Sequence, residues 1–434
     1  MIPLFPNSSI AGIALAMGLL FLLPFFVKKY RRRVIVPVAG LLFILLILSQ
    51  SRSGWLGLAA GICYITARYV PGWRRPRRIA LVLATLSGLT ATLLAFKKDS
   101  SAGRMHIYAL SARIAADHWP QGTGMGRFSG LFNQYQADYF AGHSLVSRRA
   151  LLADDTFYAF NDYLQWAAET GLAGVLALFI TVGLIISHIR RLHRGGRQRL
   201  LVSGATAALL SLSVSAFFSY PLQVRSIQGL ALLFLLLLAM VRMRGRLVIP
   251  FRVMVLLLVA GWARLAADDI IRARLEQTAF HWARQGYKQK ALEAYDLLTQ
   301  RFPRRGYNWY AYARQLYYAG RLAEARACLH HCLDYYAASA VYVLLADIET
   351  EAGRLSLAGQ YRLRALYMVP NRMQSRADLA QHYLLTGDTA KARYWQQALL
   401  SMPVKVPSER TEQLIKETKR ILNNISRKVA EAQR

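Results

Sequence analysis

Three cysteines in 434 residues exclude a disulfide-built scaffold. Cys63 stands alone. Cys328 and Cys332 lie one helical turn apart, a geometry that suits a disulfide poorly, so they read as small helix-packing residues. No cysteine or histidine pattern has metal-ligand spacing, and neither a metal nor a cofactor is expected. Acidic residues are scarce as well: 23 Asp and Glu face 55 Lys and Arg, a formal charge of +32. In a soluble chain that imbalance would point to nucleic acid. Here much of the basic charge sits in short loops between long apolar runs, so no nucleic acid is expected as a partner. Charges inside the apolar runs are few, which weighs against a transporter, whose pathway needs them. No basic residue precedes the first run, and Lys28, Lys29, Arg31, Arg32 and Arg33 follow it, which excludes a cleavable signal peptide.

What is abundant is apolar sequence. Runs at 9–27, 34–49, 54–67, 79–96, 172–186, 200–218, 227–241 and 247–263 approach the roughly 20 helical residues that a hydrocarbon core requires. The expected fold is all-α: a polytopic bundle of about eight transmembrane helices, followed by an α-solenoid. Basic residues crowd alternate loops, at 28–33, 68–78, 190–199 and 242–252, while the intervening short loops hold only Arg52 and Arg225. The positive-inside rule makes the crowded loops cytoplasmic. The N-terminus, the long loop 97–170 and everything after 264 then lie on the far side. Residues 1–265 are expected to form the membrane domain.

From residue 276 onward glycines recur at Gly286, Gly320, Gly353 and Gly387, each followed five residues later by Ala291, Ala325, Ala358 or Ala392. A period near 34 is the tetratricopeptide signature. The glycine closes the turn between two helices, the alanine lets them approach, and Pro303, Pro370 and Pro403 stop three of the second helices. Residues 266–405 are expected to form this repeat domain and 406–434 a charged capping helix. Such solenoids bind a protein or peptide segment and carry no chemistry of their own. Trp309, Tyr310, Tyr317 and Tyr318 read mainly as packing residues between the helices.

The 97–170 loop is too long for a simple connection. Its sequence 104–115 has helical periodicity, ended by His118-Trp119-Pro120. The glycines at Gly122, Gly124 and Gly126 read as a tight turn that positions Arg127, since no strand precedes them as a dinucleotide site would need.

Four ordered segments resemble the family of O-antigen ligases and polymerases and bacterial protein O-oligosaccharyltransferases. They are Phe5-Pro-Asn7-Ser-Ser-Ile-Ala-Gly12; Ser51-Arg52-Ser53-Gly54; Arg104 with Trp119-Pro120 through Gly126 and Phe128; and Ala159-Phe160-Asn161-Asp162-Tyr163-Leu164-Gln165 to Glu169-Thr170-Gly171. The resemblance implies transfer of a glycan from a polyprenyl-pyrophosphate carrier to a hydroxyl of lipid A core, polysaccharide or protein. It also implies a multi-pass protein of the bacterial inner membrane, with its repeats in the periplasm. Guanidinium groups could hold the leaving pyrophosphate without a metal, and Arg52 and Arg104 are the candidates. Snorkelling toward headgroups is the competing reading of both, but a lone arginine against the charge trend favours function for Arg52, and Arg104 rests mainly on the family match. Arg127, Asn161, Gln165 and Glu169 are candidate substrate contacts. The family often places a histidine directly before the loop-closing asparagine; here that residue is Phe160, so Asp155, Asp162 and His143 are the candidate bases. Family members also have about a dozen helices, so this chain is expected to be either a reduced relative or short of its N-terminal helices. The alternative to an enzyme is a non-catalytic, membrane-anchored repeat scaffold for envelope assembly.

Overall fold

A computed structural model describes residues 5, 7–27, 32–69, 98–195, 198–241, 248–404 and 407–432. In chain order the helices are α1 (Ser8–Val27), α2 (Arg32–Ser49), α3 (Arg52–Tyr69) and α4 (Lys98–Asp117), then α5 (Phe128–Ala141) and the short α6 (Arg148–Leu152). Next come α7 (Asp162–Gly195), α8 (Arg199–Ala216), α9 (Arg225–Met240) and α10 (Val248–Arg284). Then follow α11 (Lys288–Arg301), α12 (Gly306–Tyr318), α13 (Leu322–Leu333), α14 (Ser339–Glu351), α15 (Leu355–Met368), α16 (Met373–Leu385), α17 (Thr389–Leu400) and α18 (Glu409–Ala432). No strand occurs among the described residues. The fold is all-α, as composition and periodicity predict.

Among the described residues four helices are long and apolar enough to cross a membrane: Ser8–Phe26, Asp162–His193, Arg199–Ala216 and Val248–Arg284. Arg33–Ser49 and Arg225–Met240 are shorter apolar helices. Six of the eight expected runs coincide with these, the run 54–67 falls in α3, and the run 79–96 lies outside the described residues.

The chain divides into two compact units, one of 1–123 with 158–273 and one of 124–157 with 274–434. In the first unit, α1 packs on α2, α3 and α8, and α3 packs on α8. Small residues set these contacts. A Cβ on Gly57 would stand 2.5 Å from the hydroxyls of Ser211 and Ser215, and one on Gly54 would stand 2.8 Å from the Gly12 backbone. In lipid, apolar burial drives no association, so helices gain by close backbone approach and by interhelical hydrogen bonds. Both gains are present: Ser51 Oγ donates to the Ser9 carbonyl (2.7 Å) and Ser215 Oγ to the Ser53 carbonyl (2.8 Å). The helix α7 breaks at Gly171, whose φ of 59° and ψ of −152° are non-helical. The turn after α4 fills the break: Thr123 N donates to the Ala168 carbonyl, and Leu172 N to that of Pro120, both at 2.9 Å.

In the second unit the helices pair as hairpins: the end of α10 with α11, α12 with α13, α14 with α15, and α16 with α17. Gly286, Gly320, Gly353 and Gly387 make the turns with φ between +74° and +81°, the left-handed region that a side chain resists. The space beside each is open, so conformation alone demands glycine there. Ala291, Ala325, Ala358 and Ala392 are wholly buried between paired helices. This is a tetratricopeptide solenoid, and α18 follows its last hairpin. Trp309, Tyr310 and Tyr317 pack against the repeat core, as expected of them, whereas Tyr318 is exposed.

The unexpected member of the second unit is the stretch 124–157. Ala137 on α5 is wholly buried in the repeat core, and the Phe157 ring stacks on Tyr336 (4.8 Å, 12°). Polar groups complete the join. Asn133 Nδ2 donates to the Ala337 carbonyl, Gln136 Nε2 to that of Met368, and Asn371 Nδ2 to that of Ala153, each at 2.6 Å.

Candidate functional site

Within the first unit, Arg52, Arg104, Tyr108, Phe160 and Tyr220 come together from separate segments. Arg52 opens α3 between two serines that are hydrogen-bonded to neighbouring helices, Ser51 directly and Ser53 through its carbonyl. That anchoring fixes where its side chain starts. Arg104, in α4, donates from Nη1 to the Phe218 carbonyl (2.6 Å), and its guanidinium lies 5.2 Å from the centre of the Phe160 ring. Burial, and then the charge of Arg52, pull the Arg104 guanidinium below its ordinary pKa. Two like charges are therefore held within range of each other in a half-buried setting, a condition that an anion would relieve.

Aromatic residues wall this place. Phe160 has a left-handed φ of 52° and meets Tyr220 edge-on (5.3 Å, 80°), while Tyr158 stacks flat on Tyr220 (4.1 Å, 5°). Tyr108 donates to the Phe160 carbonyl (3.1 Å). The predicted residues of the loop closing hold that turn. Asn161 Oδ1 accepts from Leu164 N (3.0 Å) and caps α7. Gln165 Oε1 accepts from Ala159 N (3.0 Å), and its Nε2 donates to Glu169 Oε1 (3.3 Å). Asp162 is buried, with Oδ2 accepting from Leu222 N (2.8 Å).

Three other predicted residues fall in the second unit. The Asp155 carboxylate accepts from Ser339 N (2.8 Å) and Ser339 Oγ (2.7 Å) and pairs with Arg372 (3.2 Å). It tethers the 124–157 stretch to the start of α14. His143 is exposed, stacks on Tyr139 (3.9 Å, 11°), and its Nδ1 lies 2.6 Å from the Tyr139 carbonyl. Arg127 precedes α5, after glycines whose φ values are 78°, 97° and 79°, and its guanidinium lies over the Tyr335 ring at 5.6 Å. Arg225, the second arginine against the charge trend, is ion-paired to Asp269 at 2.8 Å.

Sequence reasoning missed Tyr220 and Tyr108. Neither sits in a short motif, and only the fold brings them beside the arginines. No group of His, Cys, Asp and Glu that could hold a metal occurs among the described residues. The thiols are not poised for chemistry either: burial pushes Cys328 up to about 11 and Cys332 further.

Apolar helices of membrane-spanning length, joined to a repeat solenoid, define a membrane protein with a repeat domain. Residues 37–180 match the family model described as O-antigen ligase. No curated protein matches the sequence. Among solved structures, MamA from Desulfovibrio magneticus aligns at 18% identity over 34% of this chain and 84% of that chain, with a TM-score of 0.29. Yeast Tom70 aligns at 12% identity over 89% and 85%, with a TM-score of 0.32. The Cut9–Hcn1 assembly of the APC/C aligns at 15% identity over 87% and 71%, with a TM-score of 0.34.

Proposed function

We propose that this protein moves a glycan from a polyprenyl-pyrophosphate carrier to a hydroxyl acceptor, at the periplasmic face of the bacterial inner membrane. The observation that carries this reading is the guanidinium pair, Arg52 and Arg104, whose mutual repulsion a pyrophosphate would relieve. In the transfer the acceptor oxygen bonds to the anomeric carbon, and the bond from that carbon to the carrier's phosphate oxygen breaks. The electron pair leaves with the pyrophosphate. Charge grows on the phosphate oxygens as this happens, and forked guanidinium donors stabilise it. The acceptor's proton needs a base, and Asp162 is the predicted candidate that shares a unit with the arginines. Asn161, Gln165 and Glu169 act by fixing the turn that carries Phe160.

A scaffold reading is favoured by Phe160, which stands where the family often has a histidine and cannot take a proton. The test is transfer by the purified full-length protein from a polyprenyl-pyrophosphate-linked glycan to acceptor. Transfer by the parent protein that Arg52→Ala and Arg104→Ala abolish, at unchanged membrane abundance, supports the enzyme. No transfer by well-inserted parent protein gives the scaffold reading the better claim.

A further inference from the structure

The direction of one hydroxyl proton follows from the helix cap beside the arginine pair. Asn7 caps α1: its Oδ1 accepts from the Ile10 amide at 2.9 Å. That bond fixes which end of the side-chain amide is oxygen. The other end, Nδ2, therefore faces Tyr220 and donates to the phenolic oxygen at 2.7 Å. An amide nitrogen cannot accept, so Tyr220 is an acceptor in this bond and its own proton is not used in it. Among the described residues that proton has no acceptor. Tyr108, by contrast, already gives its proton to the Phe160 carbonyl.

Tyr220 is 9% exposed, clamped by Tyr158 on its face and Phe160 on its edge. The Phe160 ring is shared: the Arg104 guanidinium lies over it, and Arg104 also holds the carbonyl of Phe218, two residues before Tyr220. A rigid hydroxyl with an unspent proton thus stands near the Arg104 guanidinium, which shares the Phe160 ring with it and lies within range of the Arg52 charge. We infer that Tyr220 donates its phenolic proton to a pyrophosphate oxygen held by Arg52 and Arg104, and that Asn7 fixes this direction by occupying the phenol's lone pair. The inference rests on the proposed pyrophosphate site and adds a third, uncharged donor to it.

The test measures binding of farnesyl pyrophosphate by the full-length protein in phosphatidylcholine nanodiscs, by titration calorimetry. Tyr220→Phe keeps both ring contacts and removes only the hydroxyl; the expected loss is about tenfold in affinity, the scale of one hydrogen bond to a charged group. Asn7→Asp keeps the cap but turns the donor into an acceptor, so the tyrosine proton is drawn to residue 7. Its loss should match that of Tyr220→Phe, and in the double variant the two losses should fall well short of multiplying. Parent-like affinity in Tyr220→Phe would overturn the inference, and so would losses that multiply. If the parent protein binds no probe, the pyrophosphate reading itself fails, an outcome distinct from both. Repeating the titration with phosphatidylglycerol in the disc separates the carrier from a lipid headgroup. Unchanged affinity supports the pyrophosphate, and competition by the headgroup would overturn that assignment.

Discussion

An arginine whose guanidinium lies over an aromatic ring and donates to a backbone carbonyl has few conformations left. Arg104 is in that state, and a planar fork there can meet two phosphate oxygens at once, which an ammonium cannot. Arg52→Ala and Arg104→Ala should therefore abolish glycan transfer, with lysine at either place recovering only part of it; a transfer assay corrected for membrane abundance checks this. An arginine that merely snorkels would be replaced by lysine with little effect. Asp155 makes a different prediction. Its carboxylate satisfies the first amide of α14 and pairs with Arg372, so Asp155→Ala should cost about 1.5–3 kcal/mol, read as a lower thermal midpoint of the repeat unit. With the Cys328 thiol raised to about 11 and Cys332 higher, both stay protonated at pH 8. Neither should react with iodoacetamide in the folded protein, as mass mapping would report. Among the residues, the sequence itself singles out Arg52 by charge alternation and Arg104 by the family motif, and the fold brings both within range of each other. Tyr220 was not legible there, since its meaning depends on Asn7, 213 positions away. Asp155 and His143 have a base's chemistry in the sequence, but the groups that engage them come from the fold.

Elements were legible in proportion to how local their cause is. The 34-residue recurrence of glycine and alanine marks the hairpins because a left-handed turn and a close helix crossing leave only one or two residue types. Gly320→Ala should destabilise the repeat unit by about 1–2 kcal/mol through backbone strain alone, for the space beside Gly320 is open; the shift in a urea midpoint measures it. Ala325→Leu should cost about as much or more by the opposite cause, over-packing of a wholly buried position. The stretch 124–157 was legible as ordered but not as part of the repeats. Its apolar residues show an amphipathic helix without saying which surface receives it, and its receiving groups are backbone carbonyls, which sequence does not mark.

At the scale of the whole chain, a compact unit cannot straddle a bilayer. Because 124–157 and 274–434 form one such unit, both are expected on the same side, with an even number of crossings in the chain between them. Four helices, α7 to α10, lie in that interval, in keeping with the alternation of basic loops. Reporter fusions after residue 141 and at the C-terminus should therefore give the same sidedness, and opposite signals would defeat the orientation. A fusion protein joining 124–157 to 274–434 should also melt several degrees above 274–434 alone, since removing the stretch uncovers Ala337, Met368 and the Tyr336 ring.

That discontinuity has a consequence for biosynthesis. Gln136 waits for the carbonyl of Met368, made 232 residues later. At roughly 5–20 residues per second, the amides and rings of 124–157 spend about 10–50 s without partners, because those partners are not yet made. The membrane helices between them must be inserted within that interval, so the second unit is the last part of the protein to become resistant to proteases as the chain is made.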